Sequence, residues 1–306
     1  MKVVCIQKGL RLAILVPVIA VFLCVLTGAS CYAVDTVTLG VPEFREDLNV
    51  LNSQDPAAMY VFKAVAGRLI SPGGKSGPIK LGIIDSLKVG NDMLQWSMRI
   101  GTNRFPSGAA ILGPDVLFSL ARCLRNGKLP HIKGASSERK LNATGVTEEW
   151  VILHAQPDFD SKTLAQYVPS ELANCPILNK FTSELFGEAL GWGTNLVSAG
   201  EYYISDFRAG REFILDRSPT VANSRVQPAI PRITIRAFRE SGAALEALRV
   251  GTIDSFLTKD IEVLAKVEKD ETLLLKQCSS YTQVFRKGLS LECPESFTAS
   301  ETKYLS

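Results

Sequence analysis

The sequence predicts a mixed α/β protein, and three observations carry that prediction. Thr36 to Val41 and Arg232 to Phe238 follow a period of two, as half-buried strands do. Pro56 to Leu69 and Gly113 to Leu124 instead repeat apolar residues at helical spacing, between recognisable start and stop signals. Strand and helix patterns then mix along the whole chain, so the class is α/β or α+β.

Taken in order, Thr36 to Val41 is the first strand. Asp55 is a suitable N-cap ahead of Pro56 at the first helical position, and Met59, Phe62, Val65, Ala66 and Leu69 form the apolar stripe of a helix. Ser71 to Pro78, rich in Gly, Pro and Ser, is a loop. Leu94, Trp96 and Met98 alternate with Gln95, Ser97 and Arg99, the pattern of a strand with one wet face. In the helix from Gly113, Pro114 opens the first turn and Asp115 complements the positive end of the dipole. Asn126-Gly127 ends that helix. Trp150 to Leu153, Tyr202 to Phe207 and Glu212 to Leu215 read as strands. Ser241 caps a helix through Leu248 that Gly251 stops, Ile253 to Leu257 is a short strand, and Asp260 caps a last amphipathic helix toward Lys269. No internal repeat or low-complexity segment occurs.

The chain has 306 residues, 46% hydrophobic and 21% charged, which excludes a disordered or collagen-like polypeptide. At roughly 150 residues per domain it has room for two domains. Lys2, Lys8 and Arg11 precede an apolar run of 15 residues, Leu12 to Leu26, and then the small-residue stretch Thr27 to Ala33. That order is a secretory signal peptide over residues 1–33. A transmembrane helix is the competing reading, but it wants about 20 apolar residues. Cleavage after Ala33 places Cys31 and Ala33 at the two small-residue positions read by signal peptidase. Acylation of Cys31 is the alternative, weakened by Gly28 at the place where a lipobox has Leu. Either route exports the protein.

Removal of residues 1–33 leaves 273 residues with 31 basic and 31 acidic side chains, so the formal charge of +3 belongs to the leader. No acidic partner is implied. Nucleic acid is a poor fit, because basic residues are scattered among acids; Arg208 and Arg211, and the group Arg236, Arg239 and Arg249, read as solvated faces. Export also changes the meaning of cysteine. Cys123, Cys175, Cys278 and Cys293 remain, an even number that permits two disulfides in any of three connectivities. Cys278 and Cys293 flank a possible hairpin and are the pair to test first; four buried thiols are the alternative.

Enzyme signatures are absent. Of the two histidines, His131 lies in a basic polar stretch and His154 ends a strand, and no Cys or carboxylate stands at metal-ligand spacing from either. There is no G-x-S-x-G nucleophile elbow. Gly73-Gly74-Lys75-Ser76 imitates the end of a phosphate loop, but Leu69 occupies the place of its first glycine and Gly77-Pro78 prevents a following helix. Gly191 and Gly193 around Trp192 fail the dinucleotide fingerprint, whose third glycine would be Leu196. Asn142-Ala143-Thr144 is a glycosylation sequon only in a host that reads it. The residues by themselves point to an exported binding protein, with no metal, cofactor or catalytic group.

Several collinear segments resemble the family 5 extracellular solute-binding proteins, the oligopeptide-, dipeptide- and nickel-binding subunits of ABC importers. Phe105-Pro106-Ser107-Gly108 followed by Asp115-Val116-Leu117-Phe118-Ser119 is similar to the family's F-x-x-G and D-V-x-F-S at the same spacing. Trp96, Met98 and Arg99 resemble its F-x-L-R strand, and Ile83 to Leu87 its L-A-x-S-W, with Leu87 in place of Trp. Val197 to Tyr202 lies over V-G-T-G-P-Y, keeping Gly200 and Tyr202 but not the Pro, and Arg217-Ser218-Pro219 is similar to R-N-P. The segment Ala244-Leu245 through Leu248, with Gly251, Ile253 and Asp254, resembles A-L-x-x-G-x-I-D.

The resemblance implies a periplasmic solute-binding protein of type II-like fold. It would have a discontinuous lobe I (residues 34–55 and 165–260), an inserted subdomain (56–164) and, in 261–306, the start of a second lobe. The bulk of that second lobe would be missing, since nothing from Gln283 to Ser306 resembles its N-x-x-x-P-F-x-D-x-R-V-R pattern. The implied function is binding of an oligopeptide or similar small solute without turnover, in the periplasm, for delivery to an ABC permease in the inner membrane. The alternative is a degenerate or fragmentary relative that acts as an envelope interaction protein or needs a partner chain. By the same resemblance Phe44, Arg45 and Glu46, in the loop after the first strand, are the first candidate ligand contacts. Trp192 and Tyr202 are further ones.

Overall fold

The computed structural model describes residues 35–44, 49–51, 55–71, 79–220, 230–278 and 281–287. In chain order the elements are β1 (Thr36–Pro42), α1 (Pro56–Val65), β2 (Ile70–Ser71), β3 (Lys80–Leu81), β4 (Ile84–Val89), β5 (Gln95–Ile100), α2 (Gly113–Arg125), β6 (Ile132–Leu141) and β7 (Thr147–Ala155). There follow α3 (Ser161–Ala173), α4 (Lys180–Phe186), β8 (Tyr202–Arg208), β9 (Glu212–Arg217), β10 (Arg232–Phe238), α5 (Ser241–Val250), β11 (Ser255–Thr258), α6 (Ile261–Glu268), β12 (Leu273–Cys278) and β13 (Tyr281–Arg286). The residues proposed as a signal peptide, together with Arg45, Glu46, Cys293 and the loop at 72–78, lie outside the described residues.

A seven-stranded sheet in the order β12-β13-β11-β1-β10-β9-β8 forms the larger unit. β1 runs parallel to both β10 and β11, and the outer strands are antiparallel. One face packs on α1, where Ala57, Val61, Phe62 and Val65 meet Leu39, Val41, Phe213 and Ile235. The other face packs on α5 and α6, where Leu245, Leu248, Val263 and Val267 meet Phe256 and Val284. Consecutive residues of β11 therefore serve opposite cores, Phe256 one and Leu257 the other, and all four of its residues are buried.

The smaller unit is an antiparallel sheet, β4-β5-β7-β6. Its inner face carries Trp96, Met98, Val151 and Leu153 against Val116 and Leu120 of α2 and Leu164, Val168 and Leu172 of α3. Cys123 and Cys175 are disulfide-bonded here, across 52 residues of sequence. Cys278 is disulfide-bonded too. It ends β12 and pairs with Tyr281 of β13, in a ladder that begins at Leu273 and Arg286, so the hairpin lies within Leu273 to Arg286 and not between Cys278 and Cys293.

The cores divide the chain differently from the boundaries implied by the resemblance. α1 packs into the large unit, and α3 runs past residue 164 inside the small one, so the insertion extends from about Leu69 to Ile177. Residues 261–286, expected to open a second lobe, instead close the edge of the large sheet, because β13 pairs with β11. The two units are stitched by backbone. The Ile177 N–H donates to Gly67 O (2.8 Å), Ala199 N–H to Ile177 O (3.3 Å), and Gly67 N–H to Ser198 Oγ (3.0 Å). Gly67 and Gly200 make this approach possible: a Cβ on Gly67 would lie 2.4 Å from the Ala199 carbonyl carbon, and one on Gly200 2.2 Å from the Val65 carbonyl oxygen.

Local chemistry accounts for several ends. Helix α1 stops at Val65, four residues before the predicted Leu69, because Ala66 turns extended (ψ 105°) and Leu69 enters the other core. Ser241 does not cap α5; Glu240 holds that position, and Ser241 Oγ accepts from Thr258 Oγ1 (2.9 Å). Asp260 caps α6 as its sequence implies, accepting from the N–H groups of Glu262 and Val263. Asn142 has a turn to hold: its Oδ1 accepts from Thr144 N–H, Thr144 Oγ1 and Val146 N–H between β6 and β7.

Asp115 does more than complement a dipole. Its Oδ2 accepts from Leu112 N–H (3.0 Å), closing the first turn of α2, and its Oδ1 accepts from Lys180 N–H (2.8 Å), which fixes the start of α4. Asp115→Ala strands two donors at a buried position and is expected to cost about 2–3 kcal/mol in urea denaturation. A loss below about 0.5 kcal/mol, the level of an unremarkable surface substitution, would refute this role.

Candidate functional site

In open sheets with parallel strands, ligands lie outside the carboxyl ends of those strands. Here the carboxyl ends of β1, β10 and β11 stand side by side, and they are followed by Glu43, Arg239 and Lys259 respectively. Adjacent strands are about 4.8 Å apart, so the three charged residues share one edge. Arg239 Nε lies 3.1 Å from Glu43 Oε1, with the side chains 85% and 55% exposed. Such an open pair is weakly held and readily exchanged for a ligand's charges. Lys259 Nζ sits 4.1 Å from the centroid of Tyr281, which opens the antiparallel neighbour β13 at the same edge.

Asn49 forms an antiparallel bridge with Trp192: Val50 N–H donates to Gly191 O (2.9 Å), and Asn49 Nδ2 donates to Leu190 O (2.9 Å). The Trp192 turn also rests on β8 through Gly193, where a Cβ would come within 2.7 Å of the Phe207 ring. Trp192 itself is 46% exposed, an unusual state for so large an apolar side chain held by a structured turn. The fold thus brings the post-β1 loop and Trp192 together across more than 140 residues of sequence.

Two of the sequence candidates have other roles. Phe44 is 3% exposed, packed in the core with its ring 5.5 Å from that of Phe213, so it anchors the loop from inside. Tyr202 is 5% exposed and begins β8, about 20 Å from the end of that strand that Trp192 approaches. Its hydroxyl donates to Ile230 O (2.8 Å). Arg239, read from the sequence as part of a solvated face, stands at the candidate edge. His131, read as lying in a polar loop, is buried, paired with Glu171 and stacked on Tyr167 at 5.0 Å.

Burial pushes the Tyr202 phenol up to about 12; Glu201 nearby adds to the rise and Arg217 opposes it. Since the folded value lies above the unfolded value near 10, the neutral phenol's contribution is complete below pH 10 and is lost as pH climbs toward about 12. Tyr202→Phe is expected to flatten the decline of stability across that alkaline window, followed by urea denaturation at stepped pH. Parallel declines in variant and wild type would contradict it.

Among the described residues no three His, Cys, Asp or Glu side chains are grouped to hold a metal ion, and no helix is long and apolar enough to cross a membrane. The edge carries an acid, two cations and the Tyr281 ring, and Trp192 is exposed on the turn that rests on β8, three strands from β1. Glu43, Arg239, Lys259 and Tyr281 were missed in the sequence because their grouping depends on strand order. Their signal was positional, at or beside the ends of strands that later proved parallel or paired.

No protein-family model and no curated protein sequence matches the chain. Solved structures do. The PBP/SBP MoaA from A. tumefacien R10, in complex with mannopinic acid, superposes with a TM-score of 0.64 at 17% identity, over 80% of this chain and 50% of that one. The ABC transporter-associated periplasmic binding protein DppA from Helicobacter pylori, in complex with peptide STSA, gives 0.60 at 12% identity, over 79% and 50%. NikZ from Campylobacter jejuni, in complex with Ni(L-His), gives 0.58 at 19% identity, over 80% and 48%. The chain shares the fold of the family 5 solute-binding proteins, and it spans about half the length of the structures it matches.

Proposed function

We propose that this protein is an exported solute-binding protein of a peptide-type ABC importer, which holds an oligopeptide or similar small solute without chemical turnover. The observation that carries the reading is the edge formed by Glu43, Arg239, Lys259 and Tyr281 at the carboxyl ends of the parallel strands. Glu43 is placed to accept a ligand ammonium, Arg239 and Lys259 a carboxylate, and the Tyr281 ring an apolar side chain. Residues 1–33 act as the signal peptide, the periplasm is the site of action, and an ABC permease in the inner membrane receives the solute. Arg45 and Glu46, in the same loop as Asn49, are proposed as further contacts. Cys278 is proposed to pair with Cys293.

Fold does not choose a ligand, as the opine, peptide and nickel–histidine complexes of its structural neighbours illustrate. An open edge also buries less of a solute than a closed cleft. That supports a second reading, in which a partner chain supplies a closing lobe. The exposed Phe181 (75%) and Leu185 (69%) of α4, close in sequence to the Trp192 turn, favour it. Calorimetry of residues 34–306 against a pool of short peptides separates the two. Micromolar binding by the chain alone supports the first reading and removes the second; heat only when a family C-terminal lobe is added in trans does the reverse. No heat in either mixture overturns both.

A further inference from the structure

We infer that residues 288–293 form a strap over the sheet face of β11 and β13, buckled by a Cys278–Cys293 disulfide, and that reducing this bond uncovers the face. The inference rests on the removal of residues 1–33 proposed above. Cys123 and Cys175 are bonded to each other, so in the mature chain Cys293 alone is left to partner Cys278.

Strand register places the buckle. Cys278 stands opposite Tyr281, Gln283 opposite Leu257, and Phe285 opposite Ser255, and directly opposed residues share a face. Cys278 Sγ lies 3.6 Å from Gln283 Oε1, and Gln283 Nε2 donates to Ser255 Oγ (3.3 Å). These side chains line the face that Leu257 presents to the core beneath α1. The face is closed: Cys278, Gln283, Ser255 and Phe285 are 4%, 1%, 0% and 8% exposed. Helix α1 packs on β1, β8, β9 and β10, while α5 and α6 lie against the opposite face. A glutamine and an outermost-strand cysteine buried to one side of α1 call for a further cover.

The chain after β13 has the length and the pattern to supply it. Lys287 N–H donates to Thr272 O (2.9 Å), so the chain leaves the hairpin at the end away from Cys278. The way back along the ladder from Leu273 to Cys278 is about 17 Å. Residues 287–293 reach about 20 Å when extended, so a bond to Cys278 holds them nearly straight along the hairpin. In an extended segment Leu289, Leu291 and Cys293 point to one side, and Ser290 and Glu292 to the other. The disulfide decides which side faces the sheet, and it is the side that carries both leucines. Gly288 stands where the chain must reverse. Reduction by a dithiol converts the bond to two thiols and the dithiol to its own disulfide, after which only the leucines hold the strap. The buckle adjoins Tyr281 at the solute edge, yet it forms whether or not a solute binds.

Non-reducing digestion of the mature chain and mass spectrometry are expected to give a peptide pair joined through Cys278 and Cys293, which dithiothreitol separates. A free Cys293 thiol, or a bond from Cys278 to any other cysteine, would overturn the proposal. The mass of the N-terminal peptide shows separately whether residues 1–33 were removed. Hydrogen exchange then tests the strap itself. Cys293→Ser, and Leu289→Ser with Leu291→Ser, should each speed exchange in β13 about tenfold and leave β5 and β7 unchanged. Ser290→Ala with Glu292→Ala, on the outward side, should exchange as wild type does. Equal exchange in the inward and outward variants would overturn the strap even with the disulfide in place. Should the leucine variant fail to fold, Cys293→Ser decides the matter, and unchanged exchange in β13 overturns the proposal.

Discussion

Replacing Cys123 and Cys175 together by alanine is expected to lower the free energy of unfolding by about 4 kcal/mol, the chain-entropy value for a loop of 52 residues. The disulfide joins the last turns of α2 to the segment after α3, and that segment carries Ile177 and Leu178 back toward the large unit. Both cysteines are buried, at 3% and 0% exposure, so lost packing adds to the entropic term. Reductant should lower the wild-type midpoint in urea by clearly more than it lowers that of the variant, which keeps only the Cys278 bond. A difference under about 1 kcal/mol between oxidised wild type and variant would show that the loop is already ordered without the bond.

Gly200→Ala is the second large effect, with an expected loss of about 3 kcal/mol or more. Its Cβ would lie 2.2 Å from Val65 O and 2.3 Å from Val65 C, and both are backbone atoms that no rotamer change can remove. Either the last turn of α1 or the strand into β8 must move, at the place where the two cores are stitched together. Gly67→Ala meets the Ala199 backbone from the other side and should fail alike. The two substitutions share one contact, so their combined cost should fall short of the sum. A Gly200→Ala protein with wild-type stability would mean that the seam is looser than the structure shows.

Elements with sharp local chemistry were legible from the sequence, and elements defined by their neighbours were not. Asp260 announced α6, and the alternation in Arg232 to Phe238 announced β10. Helix α3 was hidden by Pro169 inside it and by a polar first turn, although Asp160 caps it through Thr163 N–H (2.7 Å). β6 was hidden because only Ile132 of its ten residues is buried, which leaves no alternation to read. β12 lies at the outer edge of its sheet, with Leu274 and Leu275 partly exposed, so its apolar run indicates neither face.

The site was less legible than the fold for a related reason. Residues that carry the family resemblance have structural duties here: Phe105 is fully buried, Asp115 ties two helices, Gly200 permits the seam, and the Tyr202 hydroxyl closes on Ile230. Such constraints leave a mark in sequence because few residue types satisfy them. A ligand-facing edge has no such requirement. Trp192 stood out as an aromatic residue between two glycines, whereas Arg239 and Lys259 become neighbours of Glu43 only through the order β13-β11-β1-β10.

The central claim is that a solute rests on that edge, and hydrogen exchange of the mature chain with and without a saturating pool of short peptides tests it most directly. The account predicts slowed exchange around Glu43, Asn49 to Leu51, Trp192, Arg239 and Lys259, with the outer face of β4-β5-β7-β6 unchanged. Protection confined to the small sheet, or none at any peptide concentration, would contradict it.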